Sequence, residues 1–535
     1  MRFGSRILFE DVTTTFMAGR RYAISGPNGA GKSTFMKILT GEQEPTNGNV
    51  TRPKRIGILR QDQFAFDKFR VIDTVIMGNG ALWKALEERD ALYAKPHDDL
   101  TNEDGMRLGE LEGIVGEEGG YTAEADAGVL LDGLGIDASL HERKMGELQG
   151  GQKVRVLLAQ ALFGNPSALL LDEPTNNLDL DSVHWLKEYL CEYHGVLIVI
   201  SHDRHFLNNV CTHTADIDYQ TIIMYPGGYD DMVLAKTQIR SRMEADNAVR
   251  EKKIAQLNEF IARFSAGTRS AQATSRKKEV ERLQTSELAR SNIQRPYIRF
   301  QAENPSGRLP LELKRLSKSY DGLKVFQNFS ASITRGEKIA LTGRNGAGKT
   351  TMLKSIIHNA GEFIGDAERQ FKVDSGTVTW GHEVTAGYFP QDFSYTIDKS
   401  KGITALDWLW QFKPHFTQEE VRGFLGQMLF SGEDALKPTA ALSGGECARL
   451  IFCRLMIQKP NLLVLDEPTN NLDLESINAL NISLQKYEGT LLLVTHDEDV
   501  LDEVATRIWN FKEGHVEDFK GTYEDYLLTA QQKAR

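Results

Sequence analysis

The sequence has few cysteines, no long apolar run and no leading secretory segment. Its four cysteines, Cys191, Cys211, Cys447 and Cys453, lack the paired spacing of metal ligands, so we interpret them as free thiols of a reducing compartment. No stretch approaches the roughly 18 continuous apolar residues of a membrane span. Residues 1–10 lack the hydrophobic core of a signal peptide. These absences argue against a membrane-embedded or secreted protein and predict a cytoplasmic one.

Size and charge set two further limits. A chain of 535 residues, 41% of them hydrophobic, is long enough for two domains of about 200 residues or more. The formal net charge of -11 argues against a protein that coats nucleic acid with its whole surface. A local basic patch remains compatible with this charge.

The most informative feature is a long internal repeat. The segment GPNGAGKS at 26–33 recurs as GRNGAGKT at 343–350, and LLDEPTNNLD at 170–179 recurs as VLDEPTNNLD at 464–473. The spacing recurs as well, since 30 positions separate Asp172 from His202 and Asp466 from His496. We therefore predict two α/β domains of one kind, at 1–230 and 301–535.

Spacing differences locate the segments that the copies do not share. The first copy has about 36 extra residues between its Gln61 and Leu148, and we place this arm at about 82–121, in a polar, largely helical segment. The second copy has an insertion near 359–374. Between the copies, residues 231–300 contain one proline, at their far end, and one glycine, which predicts a linker of two long helices turning near 265–270.

The repeated glycine-rich segments are predicted phosphate loops. The pattern of glycine, four residues and Gly-Lys-Ser/Thr binds phosphates when it follows a strand and opens a helix, and the flanking residues of both copies fit those elements. Lys32 and Lys349 are expected on the β- and γ-phosphates of ATP, and Ser33 and Thr350 on Mg²⁺. The residues predicted to line the two loops are Gly26, Asn28, Gly29, Ala30, Gly31, Lys32, Ser33 and Thr34, and Gly343, Asn345, Gly346, Ala347, Gly348, Lys349, Thr350 and Thr351.

A pair of carboxylates follows an apolar run in each copy. Residues 169–171 and 463–465 are typical of central parallel strands that are buried on both faces. Asp172 and Asp466 are predicted to ligate Mg²⁺. Glu173 and Glu467 are predicted to orient and deprotonate the water that attacks ATP.

A histidine follows the next apolar run of each copy. Because His202 and His496 recur at one spacing, we predict that each imidazole contacts a γ-phosphate. Gln61 and Gln391, in the loops after the phosphate-loop helices, are predicted to contact Mg²⁺ and the water.

A second glycine-rich segment identifies the superfamily. Leu-Ser-Gly-Gly-Glu at 442–446 and Leu-Gln-Gly-Gly-Gln at 148–152 precede helices, where paired glycines form an anion-binding nest. With the other motifs, the chain resembles the ATP-binding-cassette superfamily, a P-loop NTPase fold, in which this signature segment binds the γ-phosphate held by the other cassette. The resemblance implies a site one, of Lys32 with Ser443, Gly444 and Gly445, and a site two, of Lys349 with Gln149, Gly150 and Gly151. Gln149 departs from the family's serine, which puts the hydrolysis rate of site two in doubt.

The resemblance also implies an aromatic residue stacked on each adenine. Tyr320 lies 23 residues before Gly343, and Phe3 lies 23 residues before Gly26. The strand-like segment 311–316 has no counterpart in the first copy. Either the start codon is assigned about eight to twelve residues late on this comparison, or the first domain lacks an edge strand.

Two cassettes, an arm and a charged linker resemble the ABC-F family, and most closely its YbiT-like branch, related to the energy-dependent translational throttle proteins. This resemblance implies a monomer whose two cassettes pair within one chain, without a membrane partner. It also implies binding to the ribosome, with the linker at peptidyl-site tRNA and the arm at the large subunit. The alternative is the ATPase module of a transporter or of another, non-ribosomal assembly.

The linker carries charge opposite to that of the rest of the chain. Residues 240–299 contain 14 Lys and Arg and seven Asp and Glu, a net +7 that leaves -18 elsewhere. This partition favours contact with RNA phosphates over a merely solvated face. The predicted RNA contacts are Arg263, Arg269, Arg276, Lys277 and Lys278.

Overall fold

A computed structural model of the protein shows a six-stranded sheet in each half of the chain. The residues that it describes are 1–3, 6–27, 29–59, 62–96, 101–218, 220–264, 295–320, 323–357, 372–512 and 514–534. Among the predicted residues, Asn28, Gln61, Arg269, Arg276, Lys277 and Lys278 lie outside this set, as do the side chains of Phe3 and Arg263.

In the first half, the sheet has the order β4-β5-β6-β3-β7-β8 and is parallel apart from the β7–β8 pair. The strands are β1 (Arg2–Phe3), β2 (Arg6–Ile7), β3 (Arg21–Ser25), β4 (Ile56–Ile58), β5 (Ala168–Asp172), β6 (Val196–Ile200), β7 (His213–Asp218) and β8 (Thr221–Pro226). The α-helices are α1 (Lys32–Thr40), α2 (Val71–Ile76), α3 (Gly80–Tyr93), α4 (Asn102–Glu117), α5 (Ala123–Gly133), α6 (Gly150–Leu162), α7 (Leu180–Cys191), α8 (Arg204–Val210) and α9 (Tyr229–Phe264).

The central strands are buried on both faces, which explains their continuous apolar sequences. In β5, Leu169 and Leu171 enter one hydrophobic cluster, whereas Ala168 and Leu170 enter the cluster on the opposite face. The apolar run 196–200 coincides with β6, as predicted. Helices therefore cover both faces, and the carboxyl ends of the parallel strands meet at one edge.

The second half repeats this architecture, with the order β13-β14-β15-β11-β16-β17, and adds an antiparallel sheet β10-β9-β12. The strands are β9 (Leu311–Tyr320), β10 (Leu323–Ile333), β11 (Lys338–Gly343), β12 (Ser375–Trp380), β13 (Ala386–Phe389), β14 (Leu462–Asp466), β15 (Thr490–Val494), β16 (Arg507–Lys512) and β17 (His515–Lys520). The α-helices are α10 (Lys349–Ile357), α11 (Ala405–Trp410), α12 (Gln418–Gln427), α13 (Gly444–Gln458), α14 (Leu474–Lys486), α15 (Glu498–Val504) and α16 (Tyr523–Ala534). The predicted fold class, two tandem α/β domains, is confirmed.

Two helical segments lie outside this repeated core. In the segment assigned to the arm, α3 and α4 pack together, and Arg107 forms two hydrogen bonds with Glu88 across them. The linker begins as α9, a helix of 36 residues. The predicted turn near 265–270 and the helix after it lie outside the described residues, as does most of the insertion near 359–374. Across the described ranges, the helices are too short or too polar to cross a bilayer.

Candidate functional site

Each phosphate loop joins the end of a central strand to the start of a helix. The first loop follows β3 and opens α1, and the second follows β11 and opens α10. A Cβ atom at Gly26 would lie 2.6 Å from the carbonyl oxygen of Ile217, and one at Gly343 would lie 2.6 Å from that of Phe511. Both glycines also have positive φ, so these positions favour glycine. The loop N–H groups at a helix N-terminus then suit phosphate oxygens.

The lysine of each loop folds back over its own loop. Lys32 Nζ donates to the carbonyl oxygen of Gly26 at 2.7 Å, and Lys349 Nζ donates to that of Gly343 at 2.6 Å. Burial lowers the pKa of both amines, and nearby carboxylates oppose this effect. Each ammonium group therefore lies within the loop that is predicted to hold phosphate.

The backbone is strained at both predicted catalytic glutamates, directly after β5 and β14. Glu173 and Glu467 have φ of 52° and 51°, in the left-handed region that such residues rarely adopt. The N–H of Glu173 donates to the carbonyl oxygen of Ile200 at 2.8 Å, and that of Glu467 donates to Val494 at 2.8 Å. Strain of this kind persists where the surrounding structure fixes it, and here it recurs in both copies.

A histidine faces each glutamate, but the pKa values of the two glutamates shift in opposite directions. His202 Nε2 lies 3.4 Å from Glu173 Oε1, and His496 Nε2 lies 3.1 Å from Glu467 Oε1. Burial raises the pKa of Glu173 to about 8, and burial and Lys32 lower the pKa of His202 to about 4. At Glu467 burial would also raise the pKa, but the charge and hydrogen bond of His496 and a nearby lysine together lower it. The second copy therefore favours an ionised glutamate more than the first.

Thr350 and Asp466 form an oxygen-rich position. Thr350 Oγ1 donates to Asp466 Oδ1 at 3.1 Å, while Asp466 Oδ2 is buried without a hydrogen-bond partner. Burial and a neighbouring carboxylate raise the pKa of Asp466 to about 7. A buried carboxylate oxygen without a donor fits Mg²⁺, which binds one or two carboxylates together with substrate phosphates. The equivalent residues of the first copy are Ser33 and Asp172.

A cavity of about 640 Å³ is lined by residues of both halves. The second half contributes its phosphate loop, and the first half contributes its signature segment at the start of α6. This is the combination that the family resemblance implies for site two. The predicted residues that line the cavity are Gln149, Gly151, Glu173, His202, Asn345, Gly346, Gly348, Lys349, Thr350, Thr351, Gln391, Glu467 and His496.

The two signature segments differ in how they begin their helices. Ser443 precedes α13 and forms a capping box, in which its N–H and hydroxyl each lie 2.8 Å from Glu446 Oε2 and the N–H of Glu446 donates to Ser443 Oγ. Gln149 precedes α6, where its N–H donates to Gln152 Oε1 at 3.2 Å. Site one therefore has a signature hydroxyl, and site two has a carboxamide in its place.

Two further residues, Asn177 and Asp179, lie at the contact between the halves, and the sequence analysis gave them no role. Asp179 Oδ2 accepts a hydrogen bond from the N–H of Asn345 at 3.0 Å, and Asn345 Nδ2 donates to the carbonyl oxygen of Asn177 at 2.8 Å. The sequence did mark them, because both belong to the Asn-Asn-Leu-Asp segment that recurs after each glutamate. These contacts join the segment after the first carboxylate pair to the second phosphate loop.

An ionic cluster around the buried side chains of Glu498 and Lys187 forms a second contact between the halves. The Glu498 carboxylate lies 2.7 Å from His184 Nε2, 2.9 Å from Lys187 Nζ and 2.5 Å from His205 Nδ1. Lys187 Nζ also lies 2.8 Å from His205 Nδ1, so the carboxylate offsets their repulsion. Glu498 lies two residues after His496, and His205 three residues after His202, which connects the two histidine segments.

Of the predicted adenine-stacking aromatics, Tyr320 does not line this cavity, and the side chain of Phe3 lies outside the described residues. Tyr320 is about half exposed, and the amine of Lys318 lies 4.9 Å from the centre of its ring. Tyr320 is not among the cavity's described lining residues. Its role and that of Phe3 therefore stay predictions.

The difference between Ser443 and Gln149 predicts unequal hydrolysis at the two sites, because the site without the hydroxyl stabilises transition-state charge less well. Glu467→Gln, which leaves Glu173 and the Ser443 site intact, should retain more ATPase activity than Glu173→Gln. Steady-state phosphate release from the two purified variants measures this. Equal residual rates, or the reverse order, would contradict the asymmetry.

The sequence matches known proteins over nearly its whole length. A family described as "ABC transporter" matches residues 9–176 and 326–470, and a second family with the same description matches 215–300. The chain is 48% identical to the probable ATP-binding protein YbiT of Escherichia coli O157:H7, over 98% of this chain and 97% of that protein. It is 44% identical to the YkpA ATP-binding protein of Bacillus subtilis, over 99% and 96%, and 32% identical to ABC transporter F family member 5 of Arabidopsis thaliana, over 97% and 75%.

Solved structures support the same architecture. The RNase-L inhibitor superposes with a TM-score of 0.59 at 20% identity, over 97% of this chain and 90% of that one. An archaeal ribosome recycling factor, aABCE1, gives 0.59 at 21%, over 97% and 89%. At these identities the likeness shows the fold alone. With the paired phosphate loops, the shared cavity and the relatives above, the chain belongs to the ABC-F family of tandem ATP-binding-cassette ATPases.

Proposed function

We propose that the chain hydrolyses ATP in a Mg²⁺-dependent reaction at two sites, each shared between its two cassettes, and that it works as a monomer. The cavity lined by the second phosphate loop and the first signature segment carries this proposal. Because ATP held by one cassette also contacts the other, nucleotide binding favours the paired state and hydrolysis releases it.

The side chains take separate roles in this reaction. Glu173 and Glu467 orient the attacking water and accept its proton, while His202 and His496 contact the γ-phosphate. Bound Mg²⁺ supplies charge neutralisation at the phosphates. Its proposed ligands from the chain are Ser33, Gln61, Asp172, Thr350, Gln391 and Asp466.

We infer that ATP turnover controls binding to and release from the ribosome, with the linker directed towards peptidyl-site tRNA, in the cytoplasm. Membership of the ABC-F family supports this proposal, as does the charge partition between a linker of +7 and the remaining -18. The 36 residues of α9 extend roughly 54 Å. The alternative is the ATPase module of a transporter or of another assembly.

Co-sedimentation separates these functions. The variant Glu173→Gln with Glu467→Gln should retain ATP and so accumulate in the bound state. In cell lysate with ATP and Mg²⁺, it should sediment with ribosomes more completely than the unsubstituted protein. Recovery in a membrane fraction, or in a complex free of ribosomal RNA, would favour the alternative.

The linker cations provide a second test. If Arg263, Arg269, Arg276, Lys277 and Lys278 neutralise RNA phosphates, changing them to Gln should weaken ribosome binding most at low salt. Each lost contact should flatten the slope of log K against log salt by about 0.7–0.9. Ribosome affinity of the ATP-trapped protein, measured across a salt series, checks this.

A matched control removes the same number of exposed cations from the cassettes. The control positions, all outside the arm and the linker, are Lys54, Lys314, Lys324, Lys372 and Lys520. These changes should leave the slope nearly unaltered, because exposed charges away from RNA contribute little. An unchanged slope and affinity in the linker variant would contradict the RNA contact.

A further inference from the structure

The base of the linker helix is attached to the strand beside the first phosphate loop. Lys236, two turns into α9, donates to Asp216 Oδ2 at 2.5 Å and to Asp218 Oδ2 at 2.9 Å. Both aspartates, on β7, are almost fully buried, at 1% and 3% exposed. Separating Lys236 from them would leave buried charge uncompensated, so α9 should move with β7 as one body.

Strand β7 contacts the first phosphate loop directly. In the parallel β3–β7 pair, Asp216 lies opposite Ser25, the residue before the first loop glycine. The carbonyl oxygen of Ile217 approaches Gly26 so closely that a Cβ atom there would lie 2.6 Å away. A shift of the loop on binding phosphate would therefore reach β7, and through it Lys236.

A second contact ties the linker to the segment that faces site one from the other cassette. Glu475 follows Asp473, whose charge is among those acting on Lys32. Its carboxylate accepts a hydrogen bond from Tyr229 Oη at 3.5 Å, at the start of α9, and forms an ion pair with Arg295. Both ends of the linker therefore meet at Glu475.

Apolar packing accompanies these polar contacts. Leu474, the residue between Asp473 and Glu475, is buried in the same hydrophobic cluster as Tyr229 and Met232 of α9. The segment of the second cassette that approaches site one and the base of the linker thus share one core, and neither can move far without the other.

The molecule provides its own comparison, because the second copy repeats these positions 294 residues later. The second copy lacks the ion pairs that Lys236 forms with Asp216 and Asp218. Asn510 and Lys512 stand at the positions of the two aspartates, and Ala530 stands at that of Lys236. At the position of Glu475 stands Asp181, which is exposed and lies 3.5 Å from Arg344 of the phosphate loop. Apolar packing recurs on the site-two side, where Leu180 packs with Tyr523, but among the described residues the buried ion pairs of Lys236 with two aspartates belong to the site-one side.

We infer that the linker responds to ATP at site one and not to ATP at site two, with Lys236 and Glu475 as the positioning residues that connect them. This inference rests on the proposed function in one respect, since the linker is the segment proposed to contact RNA. It assigns the control of that contact to site one.

Hydrogen–deuterium exchange of α9 in the purified protein, without ribosomes, tests the inference. In the Glu173→Gln, Glu467→Gln background, ATP with Mg²⁺ should slow exchange in α9. Adding Lys349→Met should preserve this protection, and adding Lys32→Met should abolish it. Because the assay contains no ribosome, its result is independent of whether the ribosome is the partner.

The connection itself is tested by giving the first copy the residues of the second. The triple variant Asp216→Asn, Asp218→Lys, Lys236→Ala should lose the ATP-dependent protection of α9 while still binding two ATP molecules. Glu475→Gln should also reduce the protection of α9. This variant, whose change lies away from the phosphates, tests the connection if the triple variant does not fold. Equal protection in Lys32→Met and Lys349→Met, or full protection in Glu475→Gln and the triple variant, would overturn the inference.

Discussion

Replacing both predicted catalytic carboxylates, by Glu173→Gln and Glu467→Gln, should reduce ATP turnover by roughly 10²–10⁴-fold while leaving ATP binding intact. Glutamine preserves the size and most hydrogen bonds of glutamate but cannot accept the proton of the attacking water. The strained backbone at both positions should tolerate the change, because it depends on main-chain hydrogen bonds to Ile200 and Val494. The protein should therefore remain folded, with both cassettes closed over ATP.

Phosphate release under saturating ATP measures the rate, and retention of labelled ATP on a desalting column measures binding. The matched control is Glu87→Gln with Glu419→Gln, which removes two exposed carboxylates and gives the same change in net charge. That variant should turn over ATP at the unsubstituted rate. Turnover within a few-fold of normal in the catalytic variant would overturn the assignment of Glu173 and Glu467.

The motifs predicted the core of each cassette because each one is a short segment whose residue types determine its own local structure. A buried parallel strand needs a continuous apolar run, so the run 196–200 predicted β6, and the runs before Asp172 and Asp466 predicted β5 and β14 within one residue at either end. The phosphate loops also combine glycine, lysine and a helix start within one short segment. The same strand-and-helix logic places the glutamates and histidines on neighbouring strand ends.

Contacts between the cassettes were harder to predict from the sequence, because they join residues far apart in the chain. Asn345 bonds Asp179 across 166 positions, and Lys187 bonds Glu498 across 311 positions. No local period encodes such pairs. The repeat marked Asp179 as part of a motif but not as a partner of the other copy's loop. Glu498 had no signal at all, since the first copy has Arg204 at its position.

The Glu498 cluster carries the second large expected effect. Glu498→Gln should lower the free energy of unfolding by about 3–5 kcal/mol, because it removes the charge that pairs with the buried ammonium of Lys187. The side chains of Glu498 and Lys187 are only 9% and 10% exposed, so solvent screens this pair little. Urea denaturation, followed by intrinsic fluorescence, measures the loss. Glu488→Gln, an exposed change in the loop before β15, is the control and should stay within about 0.5 kcal/mol.

This effect should depend on pH. Burial works to raise the pKa of Glu498, but hydrogen bonds from His184, His205 and Lys187 hold it well below its usual range. A lowered carboxyl pKa stabilises the fold above the unfolded value of about 4.3, and this contribution is lost as pH falls through the folded value. The hydrogen bond to Glu498 raises the pKa of His205, a contribution that is complete below about 6.5 and is lost as pH rises through the folded value.

Both contributions are therefore present between about pH 4.5 and 6.5, where Glu498→Gln should cost most. Four other carboxyls lie near the cluster: burial raises the pKa of Asp203, Asp499 and Asp502, and burial and Asp203 raise that of Asp497 to about 7. Because both variants retain them, the difference between the unsubstituted protein and Glu498→Gln largely removes their effect. The difference in unfolding free energy should be larger at pH 6 than at pH 9. A difference that is constant, or that grows with pH, would contradict the role of His205 in holding the two cassettes together.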